Sequence, residues 1–182
     1  MEKTVPIIIP SYEPDERLIT ALEELINAGL APVVIVDDGS GDKYAHFFAE
    51  AAERFGATVL RHGVNRGKGR ALKTAFEYCL GNYPDLVGCV TADSDGQHSC
   101  RDIMACREAI IENPDKLVLG VRDFDAAGVP AKSQFGNKLT IKIFRLLYKV
   151  DITDTQTGMK LFKREVLGPA LERMLVKTYA FD

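Results

Sequence analysis

The sequence predicts an α/β domain with a mostly parallel central sheet flanked by helices. Short apolar, β-branched runs alternate with segments of about a dozen residues that repeat apolar side chains at helical spacing. Polar clusters at Ser11–Glu13, Asp37–Ser40, His62–Arg70 and Asp93–His98 each follow one of the apolar runs. That is where parallel sheets carry their ligand loops, outside the carboxyl ends of the strands. A length of 182 residues suits one unit, so residues 1–182 are expected to form a single domain.

The elements follow in order. Val5–Ile9 is an apolar strand, ended by Pro10 and the turn-like Ser11-Tyr12-Glu13-Pro14. Pro14 opens a helix in which Leu18, Leu22, Leu25 and Ile26 share one face, and Gly29 stops it. Val33–Val36 is a second strand. Tyr44, Phe47, Phe48, Ala51 and Phe55 mark a second helix, with Gly56 as its C-terminal cap. Ala57–Arg61 is a strand, His62–Gly69 a glycine-rich loop and Ala71–Leu80 a helix. Leu86–Ala92 is a strand, and a helix after Ser99 carries Ile103, Cys106 and Ile110 before a further strand at Leu117–Val121. Parallel neighbours joined this way require right-handed crossovers.

Composition narrows the function. A net charge of −3 and a pI near 5.7 argue against nucleic acid held by bulk electrostatics. Hydrophobic residues at 46% and charged residues at 27% are those of a globular chain. No apolar run approaches the ~20 residues that span a bilayer, and the apolar stretch broken by Pro6 is too short for a signal sequence. Cys79, Cys89, Cys100 and Cys106 match neither a zinc pattern nor CxxC, so they are expected to be reduced and mostly buried.

Asp93-x-Asp95 is the most informative pair, because two carboxylates leaving a strand together suit a hard cation that bridges a diphosphate. Unassisted, the pair equally suits a turn that caps backbone N–H groups. An EF-hand is excluded, since Gly96 falls at the fourth loop position and Met104 where the closing Glu belongs. Gly63 to Gly67 is one residue too short for a P-loop, and Gly69 stands where Ser or Thr should be. Lys68 and Arg70, opening a helix, still suit an anion, or belong to a plain solvated turn. Asp37-Asp38-Gly39-Ser40 offers carboxylates to a nucleobase or ribose, or forms an Asx-turn. Tyr12 suits stacking on a base, or is an ordinary half-buried ring. His46, His62 and His98 form no metal-ligand pair, and His46 is expected on the surface. Lys138, Lys142, Arg145 and Lys149 share one helical face in an acid-free stretch that suits either anionic lipid headgroups or plain solvent.

The ordered set Ile7-Ile8-Ile9-Pro10-Ser11-Tyr12, Val36-Asp37-Asp38-Gly39-Ser40, Asn65-x-Gly67-Lys68-Gly69 and Asp93-x-Asp95-Gly96-Gln97-His98 resembles the family 2 glycosyltransferases. Gly120-Val121-Arg122 and Asp154-Thr155-Gln156-Thr157-Gly158-Met159-Lys160 narrow the resemblance to dolichyl-phosphate mannosyltransferase and bacterial polyprenyl-phosphate glycosyltransferases. The resemblance spans nearly the whole chain. It implies a GT-A, Rossmann-like fold and inverting transfer of a hexose from a nucleoside diphosphate sugar, UDP- or GDP-linked, to a polyprenyl phosphate. Residues 1–98 then form the donor half and 99–182 the acceptor half. Pro10, Tyr12 and Glu13 line the nucleoside pocket, Asp37 or Asp38 reads the base, and Lys68 stands near the nucleotide. Asp93 and Asp95 hold Mg²⁺ or Mn²⁺ with Gln97 as a further ligand, Arg122 pairs with a phosphate, and Gln156 lies on the acceptor side. An anionic membrane surface at the cytoplasmic face and the absence of nucleic acid partners follow. The family continues past Phe181-Asp182 through a further acid, so a piece that binds donor but transfers poorly is expected. Other acceptors, such as a glycan, stay within the resemblance. A sugar nucleotidyltransferase fits less well, since Pro10–Pro14 lacks that class's Gly- and Arg-containing loop.

Overall fold

The computed structural model describes residues 3–96, 99–112, 161–165 and 167. Among the described residues five strands form one sheet in the order β3-β2-β1-β4-β5. They are β1 (Ile7–Ser11), β2 (Val33–Asp37), β3 (Thr58–Arg61), β4 (Gly88–Thr91) and β5 (Leu161–Lys163). β1 pairs parallel with β2 and β4, and β2 pairs parallel with β3. β5 runs antiparallel, against β4. The expected α/β class with a mostly parallel sheet is what forms. The expected strand at Leu117–Val121 lies outside the described residues.

The helices are α1 (Glu16–Asn27), α2 (Ala45–Phe55, preceded by a 3-10 turn at Asp42–Tyr44), α3 (Lys68–Asn82) and α4 (Cys100–Glu112). Alternation along the strands assigns them to faces. Ile7, Ile9, Val33, Ile35 and Val90 pack against α1, α2 and α4 through Leu18, Leu22, Phe48, Ile103 and Ile110. Ile8, Val34, Val36 and Cys89 face the other way, onto Ala71, Ala75, Phe76 and Cys79 of α3. Each such buried aliphatic or aromatic side chain contributes roughly 1.5–3 kcal/mol.

Several boundaries differ from expectation, β4 among them at Gly88–Thr91 in place of Leu86–Ala92. β1 runs through Pro10 to Ser11, where Pro10 pairs with Val36. Within a parallel strand, the N–H and C=O of one residue point to the same neighbour. The Ala92 N–H donates to the Ile8 carbonyl, so Pro10 turns its missing N–H toward β4. Pairing with β4 ends at Ile8↔Thr91, and no hydrogen bond is lost. α1 starts from Asp15, not Pro14: the Asp15 side chain accepts from the Arg17 N–H and caps the helix. α3 begins at Lys68, taking the end of the expected loop into its first turn. The Gly56 cap on α2 is present, in the left-handed conformation with φ +65°.

The direction of winding reverses beside β1. β2 and β3 extend the sheet on one side, whereas the chain after α3 returns to place β4 on the other. A sheet of this kind has its crevice at that reversal, at the carboxyl ends of β1 and β4.

Candidate functional site

The described residues of the four polar clusters named from sequence sit at the carboxyl ends of β1 to β4, and hydrogen bonds join them in series. The Glu13 N–H donates to Ser40 Oγ at 2.9 Å, tying the β1 end to the β2 end. The Arg66 N–H donates to Asp38 Oδ1 at 3.0 Å, tying the β2 end to the loop after β3. Lys68 Nζ donates to Asp93 Oδ1 at 2.5 Å, tying that loop to the β4 end.

At the end of β1, Glu13 has φ +48°, a left-handed conformation that costs a side-chain-bearing residue about 1–3 kcal/mol. The strain bends the chain back so that its N–H meets Ser40. Tyr12 is 48% exposed, more open than the half-buried ring of the plainer reading. Ser11 is only 2% exposed, and its hydroxyl has no hydrogen-bond partner among the described residues.

Asp37 and Asp38 are both buried, yet they do different work. Asp37 Oδ1 accepts from the Ser40 N–H at 2.9 Å and so closes the turn. Asp38 Oδ1 takes His62 Nδ1 at 2.6 Å as well as the Arg66 N–H. A carboxylate only accepts, so His62 Nδ1 carries the hydrogen, and Nε2 is held by Thr74 Oγ1 at 2.9 Å. The turn is pressed onto the next loop at Gly39. A Cβ there would overlap the Val64 carbonyl carbon and the Asn65 nitrogen, and φ is +81°.

α3 opens at Gly67, whose φ of +85° lets the loop enter the helix. The Asn65 side chain accepts from the Gly67 N–H at 2.9 Å and shapes that entry. Lys68, in the first turn, brings its ammonium over the switch point to Asp93. The turn Asp93–Gly96 packs beside α1, where an added Cβ on Gly96 would touch Ala21. Hydrogen bonding to Asp15, and then its charge, hold the Arg17 guanidinium above its ordinary pKa, with a smaller contribution from Asp95.

Among the described residues no group of three or more His, Cys, Asp and Glu side chains gathers as a metal cage. The donors present, Asp93 and Asp95, are oxygen ligands of the kind Mg²⁺ takes one or two of beside substrate phosphates, so they fit a hard cation. Gln97, Arg122, Gln156 and the Lys138–Lys149 face lie outside the described residues. Pro10, Tyr12, Glu13, Asp37, Asp38, Lys68, Asp93 and Asp95 all fall at the one end of the sheet.

Reasoning from sequence placed His62 in the strand-end cluster His62–Arg70 but gave it no role, and missed Thr74. Nothing local marks the pairing, because Asp38 and His62 stand 24 positions apart. His46 is exposed, as expected. The four cysteines are free, three buried and Cys100 half-buried.

The profile of a family described as Glycosyl transferase family 2 matches residues 7–169. An uncharacterized protein of Methanocaldococcus jannaschii is 30% identical over 87% of this chain and 64% of its own length. The UDP-N-acetylglucosamine–dolichyl-phosphate N-acetylglucosaminyltransferase of Methanococcus voltae is 27% identical over 98% of this chain and 76% of its own. A dolichyl-phosphate beta-glucosyltransferase of Trichomonas vaginalis is 29% identical over 98% and 59%. The chain thus spans 59% to 76% of the length of these relatives.

Proposed function

The chain belongs to glycosyl transferase family 2, and from that premise we propose that it transfers a hexose from a nucleoside diphosphate sugar to a polyprenyl phosphate. The relatives named for dolichyl-phosphate transfer support this acceptor class. The single observation that carries the reading is the Lys68–Asp93 contact across the β1/β4 switch point, where a diphosphate finds a cation, a helix N-terminus and a carboxylate together.

In this reading residues 1–98 bind the donor and 99–182 the acceptor. Pro10, Tyr12 and Glu13 line the nucleoside pocket. Asp38 reads the base, while Asp37 closes the turn that carries it. Lys68 meets the diphosphate. Asp93 and Asp95, with Gln97, hold Mg²⁺ or Mn²⁺, which when bound supplies charge neutralisation at the departing diphosphate. Arg122 pairs with a phosphate, and Gln156 lies toward the acceptor.

The reaction forms a bond from an acceptor phosphate oxygen to the sugar C1 and breaks the bond from C1 to the nucleoside diphosphate. In-line attack inverts C1. The attacking oxygen is already anionic, so the protein's task is orientation more than deprotonation. A polyprenyl acceptor sits in a bilayer, and the Lys138–Lys149 face suits anionic lipid at the cytoplasmic surface. No helix among the described residues is long and apolar enough to cross a membrane.

The test is transfer of labelled sugar from UDP- and GDP-hexoses to a short-chain polyprenyl phosphate, with and without Mn²⁺. Expected is a lipid-linked product and release of nucleoside diphosphate. Release of pyrophosphate from NTP and sugar 1-phosphate, with no lipid product, overturns the reading.

A further inference from the structure

We propose that His62 is a positioning residue for nucleobase selection: it fixes the Asp38 carboxylate so that Oδ2 meets the ring N–H of a uracil- or guanine-type base. The inference rests on the nucleotide-sugar reading above, and adds the residue that makes the base reader selective.

Three features of the geometry carry it. Both hydrogen bonds given to Asp38, from His62 Nδ1 and the Arg66 N–H, land on Oδ1, so Oδ2 is left without one among the described residues. The Asp38 and His62 side chains are only 5% and 6% exposed, so neither swings freely. Thr74 on α3 holds the far nitrogen of the ring and thereby sets its plane. The imidazole thus links the end of β3 to α3 and points its Nδ1–H at the carboxylate.

Selectivity follows from what each base edge offers. A carboxylate oxygen is an acceptor only. Uracil N3 and guanine N1 carry hydrogens, whereas cytosine N3 and adenine N1 carry lone pairs at the same edge. A fixed Oδ2 therefore attracts the first pair and repels the second. An Asp38 free to turn would present either oxygen at either angle and discriminate less. A merely structural His62 would affect stability, and would weaken all nucleotides alike.

The experiment measures binding of UDP, GDP, CDP and ADP, with inorganic pyrophosphate as the base-free probe, to the full chain and to His62→Leu, His62→Asn and Thr74→Val. A hydrogen bond to a charged group is worth enough for the wild type to prefer UDP or GDP over CDP and ADP by about tenfold or more. His62→Leu is expected to cut that ratio to about threefold or less, with pyrophosphate binding unchanged. His62→Asn, which retains an N–H donor near the Nδ1 position, keeps the ratio. An unchanged ratio in His62→Leu overturns the inference alone, as does a loss in His62→Asn equal to that in His62→Leu. If His62→Leu does not fold, Thr74→Val carries the test, and an unchanged ratio there overturns the inference. A wild type that binds no nucleoside diphosphate overturns the nucleotide-sugar reading and this inference with it, and one that binds all four alike overturns the base-reading role of Asp38 and His62.

Discussion

Lys68 Nζ stands 2.5 Å from Asp93 Oδ1, so the first turn of α3 is tied to the first acid after β4. Both side chains are partly open to water, at 54% and 33% exposure. An ion pair in that setting adds about 0–1 kcal/mol to stability. Its position at the strand ends is the better explanation for it.

Lys68→Ala is therefore expected to leave the unfolding free energy within about 1 kcal/mol of the parent. Donor affinity should fall about tenfold, since a charge-assisted contact to phosphate is removed. Denaturant titration and calorimetry with UDP- and GDP-sugars measure the two. Undiminished affinity would mean that the ammonium serves only Asp93.

Asp95→Asn keeps the size of the side chain and removes one negative oxygen from the proposed cation site. Nucleotide-sugar binding in the parent should rise with Mn²⁺, and that dependence should vanish in the variant. Thermal shift with and without the metal reads it, because a ligand at 100 times its Kd stabilises by about 2.7 kcal/mol. Equal metal dependence in both proteins places the cation elsewhere.

Gly39 and Gly41 share a φ of +81°, but only Gly39 has a neighbouring backbone in the way. Ala at position 41 should cost about 1–3 kcal/mol, because φ +81° with ψ 173° lies in a region essentially reserved for glycine. Ala at position 39 should cost about 2–3 kcal/mol more, because the two loops must separate. It should also weaken donor binding, since those loops carry Asp38 and Arg66. Similar costs at the two positions would show that the loops yield easily.

Much of this architecture was legible because it is local. The α1 and α2 faces repeat within a dozen or so residues, and Gly29 and Gly56 end them where helix chemistry says they should. The site clusters were legible as strand ends, since each is contiguous in sequence. Pro10 misled because its effect depends on which neighbour its N–H would face. β5 gave no signal, being three residues whose pairing with β4 is decided over a long separation. The pairs that assemble the site, Glu13–Ser40, Asp38–His62 and Lys68–Asp93, are 27, 24 and 25 positions apart. No local pattern encodes them. The choice between Asp37 and Asp38 was also hidden, because adjacent strand residues turn to opposite faces and only the fold says what each face meets.

The thiols give a pH test. Burial, and then the Glu24 carboxylate, push the Cys100 thiol up, while burial and then Asp102 push up Cys106. A raised pKa leaves less thiolate at neutral pH, so alkylation of half-buried Cys100 should be slow there and keep accelerating beyond the range of an ordinary thiol. Glu24→Gln removes the anion that disfavours thiolate and should speed labelling at pH 8 by about two- to threefold. Mass spectrometry of the modified sites measures this. Labelling slowed by Glu24→Gln would reverse the assigned sign.

The two adjacent acids should separate cleanly by amide substitution. Asp37→Asn retains an oxygen to accept from the Ser40 N–H, so the turn persists and base preference should stay as in the parent. In Asp38→Asn the His62 Nδ1–H and the Arg66 N–H both demand an oxygen at the Oδ1 position. The amide nitrogen is then forced into the place of Oδ2. A site that offered an acceptor now offers a donor, which suits the ring lone pair of cytosine and opposes the N–H of uracil or guanine. Asp38→Asn should therefore lose affinity for UDP and GDP by about tenfold while CDP holds or gains. Competition binding with the three diphosphates decides it. A uniform loss across all three would make Asp38 a structural residue, and a shift caused by Asp37→Asn instead would exchange the roles of the pair.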